Sequence, residues 1–191
     1  MGGTAIVGSP VITKDDSGNI VSWVSTESFT LENGVYQDTG VKLSYTGGTT
    51  ITIEGTCSTA GTASLLTFIN SEGLGFSITL VDKASLGIYK ISGGTETFYS
   101  NKWYPARNIV QDDGSFKITL RFYKSGYLDI QPYYKSSGAW VEGGSLGSSI
   151  FSGEVSTDGT FYIGRSTPIT DSPKENMTIT SFSVVYSSYA S

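Results

Sequence analysis

Residues 116–122 read Phe-Lys-Ile-Thr-Leu-Arg-Phe, with an apolar side chain at every even position and Lys, Thr or Arg at every odd one. A period of two is the period of a β-strand, because successive side chains of a strand point to opposite faces of its sheet. The same alternation returns at Leu128-Asp129-Ile130, at residues 161–163 and at residues 177–186. These stretches predict an all-β, two-sheet antiparallel β-sandwich of about 12 to 14 strands, without substantial helix.

The length and the turn signals predict one domain. A chain of 191 residues suits a single large sandwich, since all-β domains of this size are often undivided. Glu32-Asn33-Gly34 and Lys124-Ser125-Gly126 predict hairpin turns, whereas residues 136–149, rich in Gly and Ser, predict a long loop that carries Trp140. We expect residues 1–19 to form an N-terminal arm or a first edge strand, and residues 20–191 to form the β-sandwich domain.

The composition argues against several classes of function. The chain has no histidine, which removes histidine-dependent catalysis and histidine metal ligation. Cys57 is the only cysteine, so no internal disulfide is expected; it reads as an inert small residue, with a reactive thiol as the alternative. A net charge of −5 with scattered basic residues argues against a nucleic-acid groove. The first residues lack a signal-peptide pattern, and no apolar run is long enough for membrane insertion.

Four stretches of the second half follow one another in a recognisable order. They are an amphipathic strand at 116–123, a turn and an Asp-containing strand at 126–130, Thr160-Phe-Tyr-Ile-Gly164, and Ile179-Thr-Ser-Phe-Ser-Val-Val-Tyr186. This order resembles the laminin-G-like branch of the concanavalin A-like lectin and glucanase superfamily. The resemblance implies a jelly roll of two sheets with six or seven strands each, one of them concave. It also implies ligand binding on the concave face or at the rim, often of sugars and sometimes with calcium.

Sugar recognition needs flat aromatic rings for the C–H face of a pyranose and planar polar groups for its hydroxyls. Two groups of residues offer both, and we expect them on loops: Asn101, Trp103, Tyr104 and Arg107, followed by Tyr133, Tyr134 and Trp140. The structural alternative is that the indoles pack under loops as outlying core and that the tyrosines stand half-exposed on a sheet. Aromatic residues in irregular segments are freer to meet a ligand than those at alternating core positions, which favours binding.

A calcium site would need several oxygen ligands that converge on one point. The candidates are Asp112, Asp113, Asp158 and Asp171. Short Asp-Gly turns without a metal are far commoner than calcium loops, so we expect no cofactor and keep calcium as the alternative.

Enzymes of the resembled fold share a Glu-x-Asp-x-x-Glu strand, which presents carboxylates for the nucleophile and the general acid on one face. That spacing does not occur in this chain. Its carboxylates stand alone in the sequence, at Glu54, Asp82, Asp129, Glu142 and Glu154. We therefore expect a domain that is not an enzyme.

The leading hypothesis is a non-catalytic, lectin-like carbohydrate-binding domain, an adhesion module of a phage tail or fibre protein or of a bacterial surface protein. Its partner would be a glycan or cell-surface polysaccharide, met at the virion surface or outside the cell. The first alternative is a structural or protein-interaction sandwich of a virion, such as a capsid decoration or fibre head, that contacts other chains or forms a homo-oligomer. The second is a glycan-cleaving enzyme of the same fold. The sugar, the oligomeric state and the parent protein stay open.

Overall fold

The computed structural model describes residues 11–18, 20–25, 29–31, 36–42, 48–57, 63–103, 107–153, 155–156, 159–164 and 177–187. These residues contain fifteen strands and no helix. The strands are β1 (Val11–Lys14), β2 (Ile20–Ser25), β3 (Phe29–Leu31), β4 (Tyr36–Lys42), β5 (Gly48–Thr56), β6 (Ala63–Ile69), β7 (Leu74–Asp82), β8 (Ser85–Ser92), β9 (Thr95–Trp103), β10 (Ser115–Tyr123), β11 (Tyr127–Ser136), β12 (Ala139–Glu142), β13 (Leu146–Ser149), β14 (Thr160–Gly164) and β15 (Met177–Ser187).

The strands form two antiparallel sheets. The larger has the order β1-β2-β15-β5-β10-β11-β12, with β3 also paired to β15 and β13 also paired to β11. The smaller has the order β4-β14-β6-β7-β8-β9. The predicted all-β, two-sheet antiparallel architecture is confirmed. The expected division into residues 1–19 and 20–191 stays a prediction; within it, β1 pairs along β2 at the edge of the larger sheet.

Strand β10, which contains the stretch that predicts the fold, lies in the interior of the larger sheet between β5 and β11. Its even-numbered side chains are buried, whereas Lys117 and Arg121 on the opposite face are partly exposed. The turn predicted at Lys124-Ser125-Gly126 is confirmed, since the amide of Gly126 donates to the carbonyl of Tyr123 at 2.9 Å. The turn predicted at 32–34 lies outside the described residues.

Four phenylalanines join the two sheets at the centre of the core. Phe122 comes from the larger sheet, and Phe68, Phe76 and Phe161 come from the smaller one; each is at most 1% exposed. The Phe122 ring lies 4.7 Å from that of Phe76 and 5.2 Å from that of Phe68, between centroids. Full burial of one such ring contributes about 1.5–3 kcal/mol. The contacts hold the sheets face to face and turn their other faces outward.

Residues 136–149 do not form the predicted loop. Ser137 and Gly138 have φ angles of 51° and 82°, and the residues on either side of them, Ser136 and Ala139, pair across the turn. Positive φ at both central positions defines the tight hairpin turn that matches strand twist. The chain therefore returns along β11 as β12, and residues 146–149 pair with β11 again as β13. With β12 and β13, the described residues contain fifteen strands, which is more than the 12 to 14 expected.

Candidate functional site

The outward side of the larger sheet carries an unusually polar group of side chains, which we call the polar face. Cross-strand register places its members together: Lys117 is opposite Glu54, Arg121 is opposite Asp129, and Tyr133 is opposite Glu142. The face is formed by β5, β10, β11 and β12 through Thr52, Glu54, Lys117, Thr119, Arg121, Asp129, Gln131, Tyr133, Trp140 and Glu142.

Trp140 is anchored on this face by its ring nitrogen. The indole N–H donates to Oε1 of Glu54 at 2.8 Å, and the other carboxylate oxygen of Glu54 lies 3.5 Å from Nζ of Lys117. Because β11 and β10 lie between β12 and β5, the indole lies across the face rather than standing away from it. Nζ of Lys135 lies 5.1 Å from the centre of the ring. Trp140 is only partly buried, so part of its surface remains open to solvent.

Beside the indole runs a chain of planar polar groups. Arg121 donates from Nη1 to Asp129 at 3.1 Å and from Nη2 to Oε1 of Gln131 at 2.9 Å. The amide of Gln131 donates to Glu142 at 3.2 Å, and the hydroxyl of Tyr133 donates to the same carboxylate at 3.4 Å. A guanidinium has five N–H donors, so these contacts fix its plane and leave further donors. The Arg121 side chain is 29% exposed, which gives a ligand access to them.

A second concavity lies beside the end of β11, and we call it the Arg107 cleft. It has a volume of about 440 Å³ and is lined by Arg107, Asn108, Gln111, Asp112, Tyr134 and Lys135. The guanidinium carbon of Arg107 lies 3.7 Å from the centre of the Tyr134 ring. A cation over an aromatic face is attracted by the negative charge of the π-system. The contact therefore holds Arg107 at the wall of the cleft.

Two ion pairs border the Arg107 cleft. Nζ of Lys135 lies 2.7 Å from Asp113, and Nζ of Lys83 lies 3.3 Å from Asp112. The hydrogen bond from Lys135, followed by those from the side chain and backbone of Ser115, lowers the pKa of the Asp113 carboxyl well below its usual range. Asp113 therefore pairs with Lys135 as a carboxylate.

The second predicted aromatic group, Tyr133, Tyr134 and Trp140, is divided between the polar face and the Arg107 cleft. Tyr133 and Tyr134 are neighbours on β11, so they point to opposite sides of the sheet. Tyr133 belongs to the polar face, where its ring also lies 5.2 Å from Nζ of Lys117, and Tyr134 belongs to the Arg107 cleft. The expectation that the aromatic residues lie on loops is wrong for Tyr133, Tyr134 and Trp140, which lie on strands. The hairpin at Ser137 and Gly138 extends the sheet to include them.

The first predicted group is also separated. Asn101 and Trp103 lie on β9, the edge strand of the smaller sheet, in register with Gly87 and Ser85 of β8. Trp103 and Trp140 are therefore carried by different sheets. Arg107 is joined to Tyr134 of the second group rather than to Asn101, and Tyr104 lies outside the described residues.

Sequence analysis missed the residues that organise the polar face. Glu54, Asp129 and Glu142 stand alone along the chain but share one face in space, together with Lys117, Arg121 and Gln131. The alternation does indicate that odd positions of β10 and β11 face away from the core. It does not give the register between strands, and register decides which polar groups meet.

No group of three or more acidic, cysteine or histidine side chains that could hold a metal occurs among the described residues. Asp112 and Asp113 are engaged by lysines, whereas the two other calcium candidates, Asp158 and Asp171, lie outside the described part. Cys57 follows β5 and packs partly buried against the core. No helix that could cross a membrane is found in the described ranges.

Comparison with known proteins identifies structural relatives only. No family model matches the sequence, and no curated protein is significantly similar to it. The CBM40 domain of the Ruminococcus gnavus IT-sialidase, bound to α2,3-sialyllactose, is similar with a TM-score of 0.51 and 15% identity, over 86% of this chain and 92% of that one.

Two further structures have TM-scores of 0.45. A structure of botulinum neurotoxin type C, whose cell entry depends on interaction with two ganglioside molecules, is 15% identical over 93% of this chain and 47% of that one. A GH43 protein from Bacillus licheniformis is 12% identical over 73% and 28%. The chain thus spans about half the length of the neurotoxin chain. At these identities the likeness establishes the β-sandwich fold and nothing finer.

Proposed function

We propose that the domain binds a glycan on the polar face without cleaving it. The observation that carries the proposal is the fixed indole of Trp140 beside the planar groups of Arg121, Gln131 and Glu142. An indole offers an apolar surface to the C–H face of a sugar ring. Guanidinium, amide and carboxylate groups offer donors and acceptors to its hydroxyls.

The hydrogen bonds within the polar face support binding because they order the side chains in advance. A ligand that meets side chains already held in place avoids the entropy cost of ordering them, about 0.5–1.5 kcal/mol for each mobile side chain. Glu54 holds Trp140, and Asp129 holds Arg121. A sugar gains little net free energy from each hydrogen bond to the protein, because its hydroxyls lose hydrogen bonds to water when they bind. Its affinity therefore depends on side chains that are already ordered.

The same contacts favour binding over catalysis. Each carboxylate of the face already interacts with other side chains: Glu54 with Trp140 and Lys117, Asp129 with Arg121, and Glu142 with Gln131. A glycosidase needs one carboxylic acid that can donate a proton and a second carboxylate free to attack or to activate water. Release of reducing sugar from a polysaccharide panel would overturn this part of the proposal.

We further propose that the domain belongs to the laminin-G-like branch of the concanavalin A-like lectins and serves as an adhesion module at a virion or cell surface. The order of motifs in residues 116–186 supports the family. The sialyllactose complex of the CBM40 domain, which shares the fold, supports a glycan as the partner. The scarcity of charged residues, 15% of the chain, is typical of exposed β-proteins of this kind.

A glycan array followed by calorimetric titration of the glycans found tests the proposal. Trp140→Ala should weaken binding of any glycan found by at least about thirtyfold, the effect of losing a central contact of about 2 kcal/mol. Phe98→Ala is the matched control, because Phe98 is an exposed aromatic residue on β9 of the other sheet. Equal affinity of the wild type and Trp140→Ala, or equal loss in both variants, would refute the polar face as the site.

One observation favours the protein-interaction alternative. Phe98 is 61% exposed on the edge strand β9, and its ring packs 5.6 Å from that of Tyr89, between centroids. Exposed apolar groups on a sheet edge are typical of contacts with another chain. Under this alternative, light scattering shows an oligomer that Phe98→Asp dissociates and Trp140→Ala leaves intact. Phe98→Asp therefore tests the protein-interaction function, and Trp140→Ala tests glycan binding.

A further inference from the structure

Among the described residues, the Arg107 cleft carries one positive charge that is not paired with a carboxylate. Its two lysine neighbours are paired, Lys83 with Asp112 and Lys135 with Asp113. Arg107 forms no ion pair with any described residue and packs on the ring of Tyr134. The N–H groups of a guanidinium lie in its own plane. Packing one face on the ring therefore leaves donors at the edge of Arg107 available to a ligand.

The cleft is held in shape by backbone contacts. The side-chain amide of Gln111 donates from Nε2 to the backbone carbonyls of Asn108 and Ile109 at 2.8 and 3.2 Å, and its Oε1 accepts from the backbone amide of Lys135 at 3.1 Å. The backbone amides of Ile109 and Val110 both donate to the carbonyl of Lys83. Residues 108–111, which follow Arg107, are thereby fixed to β11 on one side and to the β7–β8 turn on the other.

We propose that the Arg107 cleft binds the carboxylate of an acidic saccharide unit, a uronic or sialic acid, and so makes the domain select acidic over neutral glycans. This inference rests on the proposed glycan-binding function. Planar, bidentate pairing with a carboxylate is the contact for which a guanidinium is best suited. A volume of about 440 Å³ suits a small saccharide unit.

Lys135 is the one residue that lies near both the cleft and Trp140 among the contacts described above. Lys135 lines the cleft, and its Nζ also lies 5.1 Å from the ring of Trp140. The local charge also fits: Lys83, Arg107 and Lys135 outnumber Asp112 and Asp113 by one, although the chain as a whole carries −5.

Calorimetric titrations with two matched pairs of probes test this inference: sialyllactose against lactose, and an oligogalacturonate against its carboxyl-reduced form. The wild type should bind the acidic member of at least one pair about tenfold more tightly than the neutral member, the gain from one charge-assisted contact. Arg107→Gln should bring that ratio to about one. Lys14→Gln removes the same charge from β1, at the far edge of the sheet, and should leave the ratio unchanged.

An acidic preference that persists in Arg107→Gln, or a wild type without preference, would overturn the inference while leaving glycan binding intact. If no oligosaccharide binds, the proposed function fails, and the cleft is then tested by an NMR titration with glucuronate and with glucose. Glucuronate, but not glucose, should shift the NMR signals of the Arg107 Nε–H and of the Lys135 amide. Loss of the Lys135 shift in Arg107→Gln would support the cleft. Unchanged signals would overturn it.

Discussion

The hydrogen bond between Trp140 and Glu54 can be measured independently of any ligand. A charge-assisted hydrogen bond contributes about 1.5–3 kcal/mol when it is buried. The Glu54 side chain is 32% exposed and the indole is partly exposed, so water competes for both groups. We therefore expect a coupling free energy of about 1 kcal/mol between Trp140→Phe, which removes the donor but keeps a ring, and Glu54→Ala, which removes the acceptor.

Urea unfolding of the wild type, both single variants and the double variant measures this coupling. With a slope of about 2 kcal/mol per molar urea, 1 kcal/mol corresponds to a midpoint shift of about 0.5 M. The loss of the partner of Lys117 occurs in both Glu54→Ala arms and cancels. A control cycle of Trp140→Phe with Lys14→Ala should give no coupling, because Lys14 lies on β1 at the opposite edge of the sheet. Equal couplings in the two cycles would refute the anchoring of the indole by Glu54.

Three further outcomes follow from the fold. Phe122→Ala should lower the free energy of unfolding by about 3–5 kcal/mol, because it opens a cavity between the rings of Phe68, Phe76 and Phe161; calorimetry measures it. Gly138→Ala should lower the free energy of unfolding by about 1 kcal/mol, since the φ angle of Gly138 is 82°, whereas Ser137→Asn should stabilise the same turn. Shifts of the urea midpoint in opposite directions would verify this. The lowered pKa of Asp113 stabilises the fold above the ordinary Asp pKa, and this contribution disappears as pH falls through the folded-state value. Lys135→Gln should raise the NMR titration midpoint of Asp113.

The fold could be predicted because the alternation of apolar and polar residues is visible within the sequence of a single strand. In β10, apolar residues occupy every even position and all of them are buried, but Ser115 and Thr119 on the other side of the strand are buried as well. In β7 likewise, Gly75, Ser77 and Thr79 on the outward side are buried, and nothing in their small or polar side chains predicts this burial. Periodicity thus reports which side of a strand faces the core. It does not report what else covers the outward side.

The site was less predictable because it depends on register and on one turn. Ser137-Gly138 lies in a Gly/Ser-rich stretch that is typical of a loop, but its two positive φ angles make a hairpin of it. That hairpin places Trp140 on a strand and within reach of Glu54, eighty-six positions earlier in the chain. Contacts across such a separation follow from strand order. Neither composition nor local spacing contains strand order.

One part of the outward side of the larger sheet carries no charged residues, and the polar face can be compared with it. Along β15, the outward residues opposite Thr50 and Thr52 are Val185 and Ser183, an uncharged pair in which Val185 is 55% exposed. The neighbouring strands of the same sheet instead carry the charged and aromatic groups of the polar face. Partly exposed ion pairs contribute little to stability, about 0–1 kcal/mol each. Since β15 folds with the uncharged residues Ser183 and Val185 facing outward, stability does not require the charged residues of the polar face, and their presence agrees with the ligand recognition that we propose.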